Sequence, residues 1–320
     1  MIYLFKVEDA RLKSATIGLA SELAAGGLVW VDAVAPDETE RAWLRDALGI
    51  DTEAVEEDED IEASARIYEE GATLYLRSDF LAGGHLQCEI VPVRMALRHN
   101  LLVTLHEEDV PILRLQRLRC RGRPVPDGGA LTLLLDLYAL DAEYSADVLE
   151  AVHGELKEIS GRVLAERRGT DEEAAEFITR LARQEDLNGT IRRNLMDSRR
   201  VLSYLTREQR MDKASAKLAQ QIRLDIDSLD THTAFIFDKI NFLMDAIIGF
   251  INVNQNKVVK IFSVAAVAML PPTLIASIYG MNFEHMPELR WVWGYPMSLA
   301  MMLVAVAVPF WFFKRKGWLK

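Results

Sequence analysis

The chain has 320 residues, 50% of them hydrophobic, and a formal net charge of −11. That length allows two or three domains, and the negative balance argues against a nucleic-acid partner. Nearly all the acids lie before residue 250, whereas the C-terminal tail is basic.

From the N-terminus, residues 1 to about 127 read as an α/β domain. Ile2–Val7, Leu28–Val34, Thr73–Leu81, Cys88–Leu97 and Leu101–His106 are apolar or alternating runs of strand type, with turns at Gly26-Gly27, Gly83-Gly84 and His99-Asn100. A helix opens at Pro36-Asp37-Glu38 and reaches about Leu48, and a second follows Pro111. The elements do not alternate cleanly enough to set the strand order. The opening residues carry no basic segment followed by a long apolar core, so no signal peptide is expected.

The acidic run Asp51–Glu62 has carboxylates of the kind that hard divalent cations take. It lacks EF-hand spacing, however, and a solvated face is the plainer reading. His106-Glu107-Glu108-Asp109 is not a zinc-protease motif, because the second histidine at i+4 is missing. With no glycine-rich phosphate loop and no nucleophile beside a convincing base, an enzyme is not expected.

Arg123–Gly129 is the best boundary in the chain, and residues 128–257 read as long cytoplasmic helices and a stalk. One helix runs from Leu131 to about Arg168. A second starts at Thr170, with threonine capping and acids in its first turn, and reaches about Leu205. The third begins soon after and has no stop before Tyr279. At about 1.5 Å per residue it would span roughly 100 Å. Leu229, Thr233, Ile236, Ile240, Leu243, Ile247 and Phe250 on it form a heptad seam.

A second seam keeps the same alternation on another face. It runs through Asp245, Gly249, Asn252, Asn256, Val259, Ser263, Ala266, Leu270, Thr273 and Ser277 to Gly280. Periodicity alone weighs two readings evenly: packing by small residues, or the lining of a water-filled path. Asp245, Asn252 and Asn256 favour the second, since they carry a polar face beyond the apolar span.

Ile261–Tyr279 and Trp291–Phe313 contain no charged residue, and each is close to the roughly 20 residues that cross a bilayer. Residues 258–313 therefore form a two-span hairpin, with spans at about 259–279 and 294–313, an outer loop at 280–293 and a basic tail at 314–320. Pro271 and Pro272 are tolerable in a membrane helix when neighbours satisfy the freed carbonyls. Lys257 and Lys260 precede the first span, and Lys314, Arg315, Lys316 and Lys320 follow the second. The positive-inside rule then puts both termini in the cytoplasm, and Cys88 and Cys120 read as reduced thiols.

Tyr279-Gly280-Met281-Asn282 after the first span, followed by Phe283-Glu284-His285-Met286-Pro287-Glu288-Leu289, resembles the signature of the CorA family of divalent metal-ion channels. The likeness continues through Trp291, Gly294-Tyr295-Pro296 and the terminal Lys-Arg-Lys-Gly-Trp-Leu. Upstream it includes Asp60–Arg66 and Asn254-Gln255-Asn256. The resemblance implies a mainly helical α+β subunit and a funnel-shaped homopentamer in the bacterial inner membrane. The partners are other copies of the chain, lipid and divalent cations, with no cofactor beyond the transported and regulatory ion. Magnesium would be the main substrate, with cobalt and nickel as others, driven by membrane potential.

On that reading Asn282, with Gly280 and Met281, recognises the hydrated ion at the outer mouth, and rings of Glu284 and Glu288 concentrate cations. Val259, Phe262, Ala266 and Leu270 form an apolar constriction that gates by dewetting. The family also implies that cytoplasmic acids sense metal and close the channel; the candidates are Asp58, Glu59, Asp60, Glu62, Asp225, Asp227 and Asp230. Two alternatives remain. One is a zinc transporter of the same superfamily, disfavoured by a loop with one histidine and no cysteine. The other is a membrane-anchored sensor or scaffold without transport, disfavoured by the polar seam.

Overall fold

The computed structural model describes residues 1–9, 11–16, 27–50, 66–84, 87–121, 124, 129–165, 170–207, 211–282 and 286–318. Among these, seven strands form one sheet: β1 (Ile2–Glu8), β2 (Arg11–Thr16), β3 (Leu28–Val34), β4 (Ile67–Glu70), β5 (Thr73–Gly84), β6 (Gln87–Arg98) and β7 (Leu101–His106). Their order is β2-β1-β3-β7-β6-β5-β4, and only the central pair β3 and β7 is parallel. The five expected strands are present. The two that were not expected are the edge strands β2 and β4, which are short and polar.

Side-chain alternation gives the sheet two covered faces. Val31, Ala33, Val103 and Leu105 share a core with Trp43, Leu44 and Leu48 of α1 (Glu38–Leu48). Asp37 caps α1 in a reciprocal capping box with Glu40. The alternate residues Trp30, Asp32 and Thr104 face the other way, toward α2 (Pro111–Cys120). Asp32 is fully buried and accepts hydrogen bonds from Thr104 Oγ1 (2.6 Å) and from Arg117 of α2, with His106 Nε2 2.9 Å away. His106 is therefore spent inside the domain.

Two long antiparallel helices follow, α3 (Ala130–Ala165) and α4 (Asp171–Arg207). The Asn100 side chain caps α3 by accepting from the Ala130 N–H at 2.9 Å. That contact needs glycine at 129, where φ is +61° and a Cβ would sit 1.7 Å from Asn100 Oδ1. Thr170 caps α4 as expected, and Glu173 completes a reciprocal capping box with it.

The α3–α4 contact is polar at one level. Asn194 Nδ2 donates to both Asp141 carboxylate oxygens (2.9 and 3.0 Å), and Ser198 Oγ donates to one of them (2.9 Å). Burial pushes the Asp141 carboxyl up to about 7, against the pull of these donors. Nearby, Arg66 bridges Asp79 of β5 and Asp197 of α4 at 3.1 Å each.

The third long helix, α5 (Lys213–Tyr279), starts at an Asp212 cap that accepts from the Ser215 N–H, a few residues later than expected. Its first seam is buried at Thr233, Ile236, Ile240, Leu243 and Ile247, while Phe250 is exposed. The seam fails at Phe250 because α4 runs out. Arg199 pairs with Asp227, Arg192 with Asp230 and Asn188 with Thr233, so the helices are antiparallel and α4 begins near the level of 250. A 3₁₀ turn (Pro287–Arg290) and α6 (Gly294–Arg315) complete the chain. The chain divides into two compact units, Met1–Glu166 with Ala175–Leu243, and a second built mainly on Met244–Lys320.

Candidate functional site

Among the described residues two helices, α5 and α6, are long and apolar enough to cross a membrane, with mean hydropathies of 2.0 and 1.9. Only 11% and 6% of their apolar windows are buried, the reverse of a soluble core. The α5 helix continues through Pro271 and Pro272 without ending. These prolines lack the N–H groups that would reach the carbonyls of Val267 and Ala268.

What is covered defines the inner face of the hairpin. Val264 and Ala268 are buried and Pro271, Pro272, Ile275 and Tyr279 half-buried, one stripe at helical spacing. A matching stripe on α6 holds Gly294, Ser298, Met302, Ala305 and Pro309. The two helices meet along these stripes.

The predicted seam lies on the other side of α5. At 100° per residue, Val259, Ser263, Ala266, Leu270, Thr273 and Ser277 point about 200° away from the covered stripe. All are exposed, as are Asp245, Asn252 and Asn256 on the same seam. Phe262, 71% exposed, sits at its edge. Asp245 is the only ionisable side chain of the seam. Ser263 Oγ donates to the Val259 carbonyl (2.8 Å) and Thr273 Oγ1 to that of Met269 (2.7 Å). With each hydroxyl proton committed to the backbone, the oxygens turn lone pairs outward, which suits the water shell of a cation.

Gly280 ends the helix, its N–H donating to the Ala276 carbonyl at 2.9 Å. A Cβ there would lie 3.1 Å from that same oxygen, so the turn into the motif is tight. Met281 and Asn282 follow directly and are exposed. The seam and the motif thus form one continuous exposed surface.

Other predicted residues stand apart from it. Glu284 lies outside the described residues, as do Asp58, Glu59, Asp60 and Glu62. Glu288 is in the 3₁₀ turn, and its side chain is outside the described ones. Asp225 is exposed on α5, whereas Asp227 lies 3.3 Å from Arg199 and Asp230 3.2 Å from Arg192. These surface pairs are each worth under about 1 kcal/mol, too little to keep a bound ion away. The buried carboxylate Asp141 was not singled out from sequence. Its signal was there, since it interrupts the apolar stripe Leu134, Tyr138, Val148 and Val152 of α3.

The model of the family described as CorA-like Mg2+ transporter protein matches residues 25–315. The chain is 41% identical over 322 residues to the magnesium transport protein CorA of Yersinia pseudotuberculosis serotype I (strain IP32953), covering 100% of both. It is 40% identical over 322 residues to that of Escherichia coli (strain K12), again covering 100% of both. Its fold matches the complete structure of the CorA magnesium transporter from Methanocaldococcus jannaschii with a TM-score of 0.84 at 20% identity, covering 100% of this chain and 99% of that one. The chain belongs to the CorA-like Mg2+ transporter family.

Proposed function

We propose that the chain forms a homopentameric channel in the bacterial inner membrane that admits magnesium, with α5 of each subunit lining the pore and both termini in the cytoplasm. The observation that carries this reading is the seam, which is exposed opposite the α6-packing stripe and leads without interruption into Gly280-Met281-Asn282. Two spans cannot enclose a path, so copies of α5 must surround it. Relatives named as magnesium transport proteins along the whole chain support magnesium over zinc.

Magnesium surrenders its waters reluctantly, so a ring of Asn282 amide oxygens recognises it through its hydration shell. Glu284 and Glu288 raise the local cation concentration, and cobalt and nickel pass by the same route. An inside-negative potential of 100 mV contributes about 4.6 kcal/mol per divalent ion, twice the single-charge figure, so no nucleotide is needed. Val259, Phe262, Ala266 and Leu270 close the path by dewetting. Cytoplasmic magnesium, held by acids at subunit contacts, favours the closed population.

The test is magnesium influx into liposomes containing only this protein, with the potential set by a potassium gradient. The parent should admit magnesium, and Asn282→Ala should abolish influx while assembling normally. Near-parental influx through an assembled Asn282→Ala protein would remove the ring from the mechanism. No influx through the parent would remove the channel.

A further inference from the structure

A groove of about 530 Å³ lies between α3 and α5 in the first unit, lined by Glu150 and His153 on one side and Ser228, Thr231, His232 and Phe235 on the other. We propose that His153 and His232 form a binding site for a borderline-soft divalent transition-metal ion, such as nickel, cobalt or zinc, separate from the magnesium path.

Three observations carry this. The two imidazole centroids are 6.1 Å apart. Metal–nitrogen bonds of about 2.0–2.1 Å hold two imidazoles on one ion with centroids roughly 5–6 Å apart, so a small side-chain shift brings both onto the metal. Next, His153 Nδ1 is shut off from solvent and has no hydrogen-bond partner, an uncommon state for a buried polar atom. Finally, Glu150 lines the same groove one turn before His153. Glu-x-x-His is the spacing by which helical bundles present a carboxylate and an imidazole to one metal. As the side chains stand, no three His, Cys, Asp or Glu groups among the described residues converge on a point. Glu150, exposed on α3, completes the set by turning its own side chain, and water fills the remaining positions.

The surroundings select the class of ion. Lys239 and Lys157 act by charge on the His153 imidazole. The same two lysines repel any divalent ion. Magnesium, which takes oxygen ligands and is held by charge, gains nothing here to offset that repulsion. A transition ion gains bonds to imidazole nitrogen. His232 is stacked on Phe235 with centroids 6.1 Å apart, which limits its ring orientation. A bound ion clamps α3 to α5 and stabilises that pairing by linkage.

The experiment uses the full chain, freed of any histidine tag, in detergent micelles. Nickel binding is measured by calorimetry, and thermal unfolding is followed with nickel and, separately, with magnesium. The parent should show a nickel response that weakens at least about tenfold in His153→Ala and in His232→Gln. Magnesium influx and the magnesium response should be the same in all three proteins. His232→Gln decides the matter if His153→Ala unfolds, because His232 is partly exposed on the helix surface. Equal nickel binding in the parent and in folded His232→Gln would overturn the site, as would an absence of nickel binding to the parent. The site does not depend on conduction, so neither outcome bears on the channel.

Discussion

Asp141→Asn is a test of the buried contact between α3 and α4. In the parent, the carboxyl is fully buried and its value lies near 7 against an ordinary 3.8. Between those two values the folded chain holds a proton that the unfolded chain has released. The contribution of Asp141 to stability is therefore full below about pH 4 and declines as pH rises through 7. A shift of about 3 units corresponds to roughly 4 kcal/mol lost once the group is charged, of which about 2–3 kcal/mol falls between pH 5 and pH 8. Asparagine has the same shape and never ionises. Its amide can donate to Asn194 Oδ1, which has no partner in the parent, if the Asn194 amide turns over. Hydrogen bonds remade less well would cost about 1 kcal/mol at any pH. With about 1–2 kcal/mol of that loss already incurred by pH 5, the variant should match or slightly exceed the parent at pH 5 and exceed it by about 3 kcal/mol at pH 8. Unfolding of both proteins in detergent at the two pH values gives the difference of differences, in which titrating groups not coupled to Asp141 cancel. An unchanged gap between pH 5 and pH 8 would refute the buried-carboxylate reasoning.

Three further outcomes are expected. Leu270→Asn hydrates the apolar part of the seam and should raise flux at high internal magnesium; equal or lower flux in an assembled variant moves the gate toward Phe262. Cysteines placed at the exposed positions Ser14 and Gly317 should resist an impermeant thiol reagent in intact cells, while one at Val292 should react, and labelling at either terminal position reverses the topology. Millimolar magnesium should raise the unfolding temperature of the parent. Asp225→Asn should remove part of that gain, and an unchanged gain in a folded variant removes Asp225 from the sensor.

Periodic burial was what the residues announced most clearly. The central strands and long helices carry apolar spacing that matches their packing, and Asp37 and Thr170 mark two helix starts by their capping chemistry. The edge strands β2 and β4 were missed for a physical reason: one side of an edge strand meets water, so Arg-Leu-Lys-Ser-Ala-Thr needs no apolar alternation. The apolar spans were legible because a bilayer demands length, and the Gly-Met-Asn motif through its resemblance to the CorA signature. Contacts between distant residues were not. His153 and His232 lie far apart in sequence, and the groove that joins them exists only after α3 and α5 pack. Likewise the ion pairs of Asp227 and Asp230 depend on the antiparallel register of α4 and α5, which no local pattern encodes.

That register explains how one helix serves two kinds of neighbour. Leu229, Ile236 and Leu243, interleaved with Thr233, Ile240 and Ile247, repeat every seven residues; all are buried within the chain except Leu229, which is half-buried. Carrying the same count forward reaches Val264, Ala268, Pro271 and Ile275, the covered stripe of the hairpin. Between them, Phe250, Lys257 and Ile261 hold the same phase but are exposed, because α4 has ended and α6 has not been reached. The seam from Asp245 to Gly280 is offset from this face by two residues, or about 200° on the helix, and also repeats every seven. A straight helix drifts about 20° per heptad away from such a repeat. A seam kept over five heptads can face a common axis along its whole length only if neighbouring copies of α5 wind left-handedly about one another. A helix that merely tethered the first unit, or that packed only on α6, would need one of these faces. The α5 helix keeps two, on opposite sides and in strict register. The second is the one that no described residue of its own chain covers.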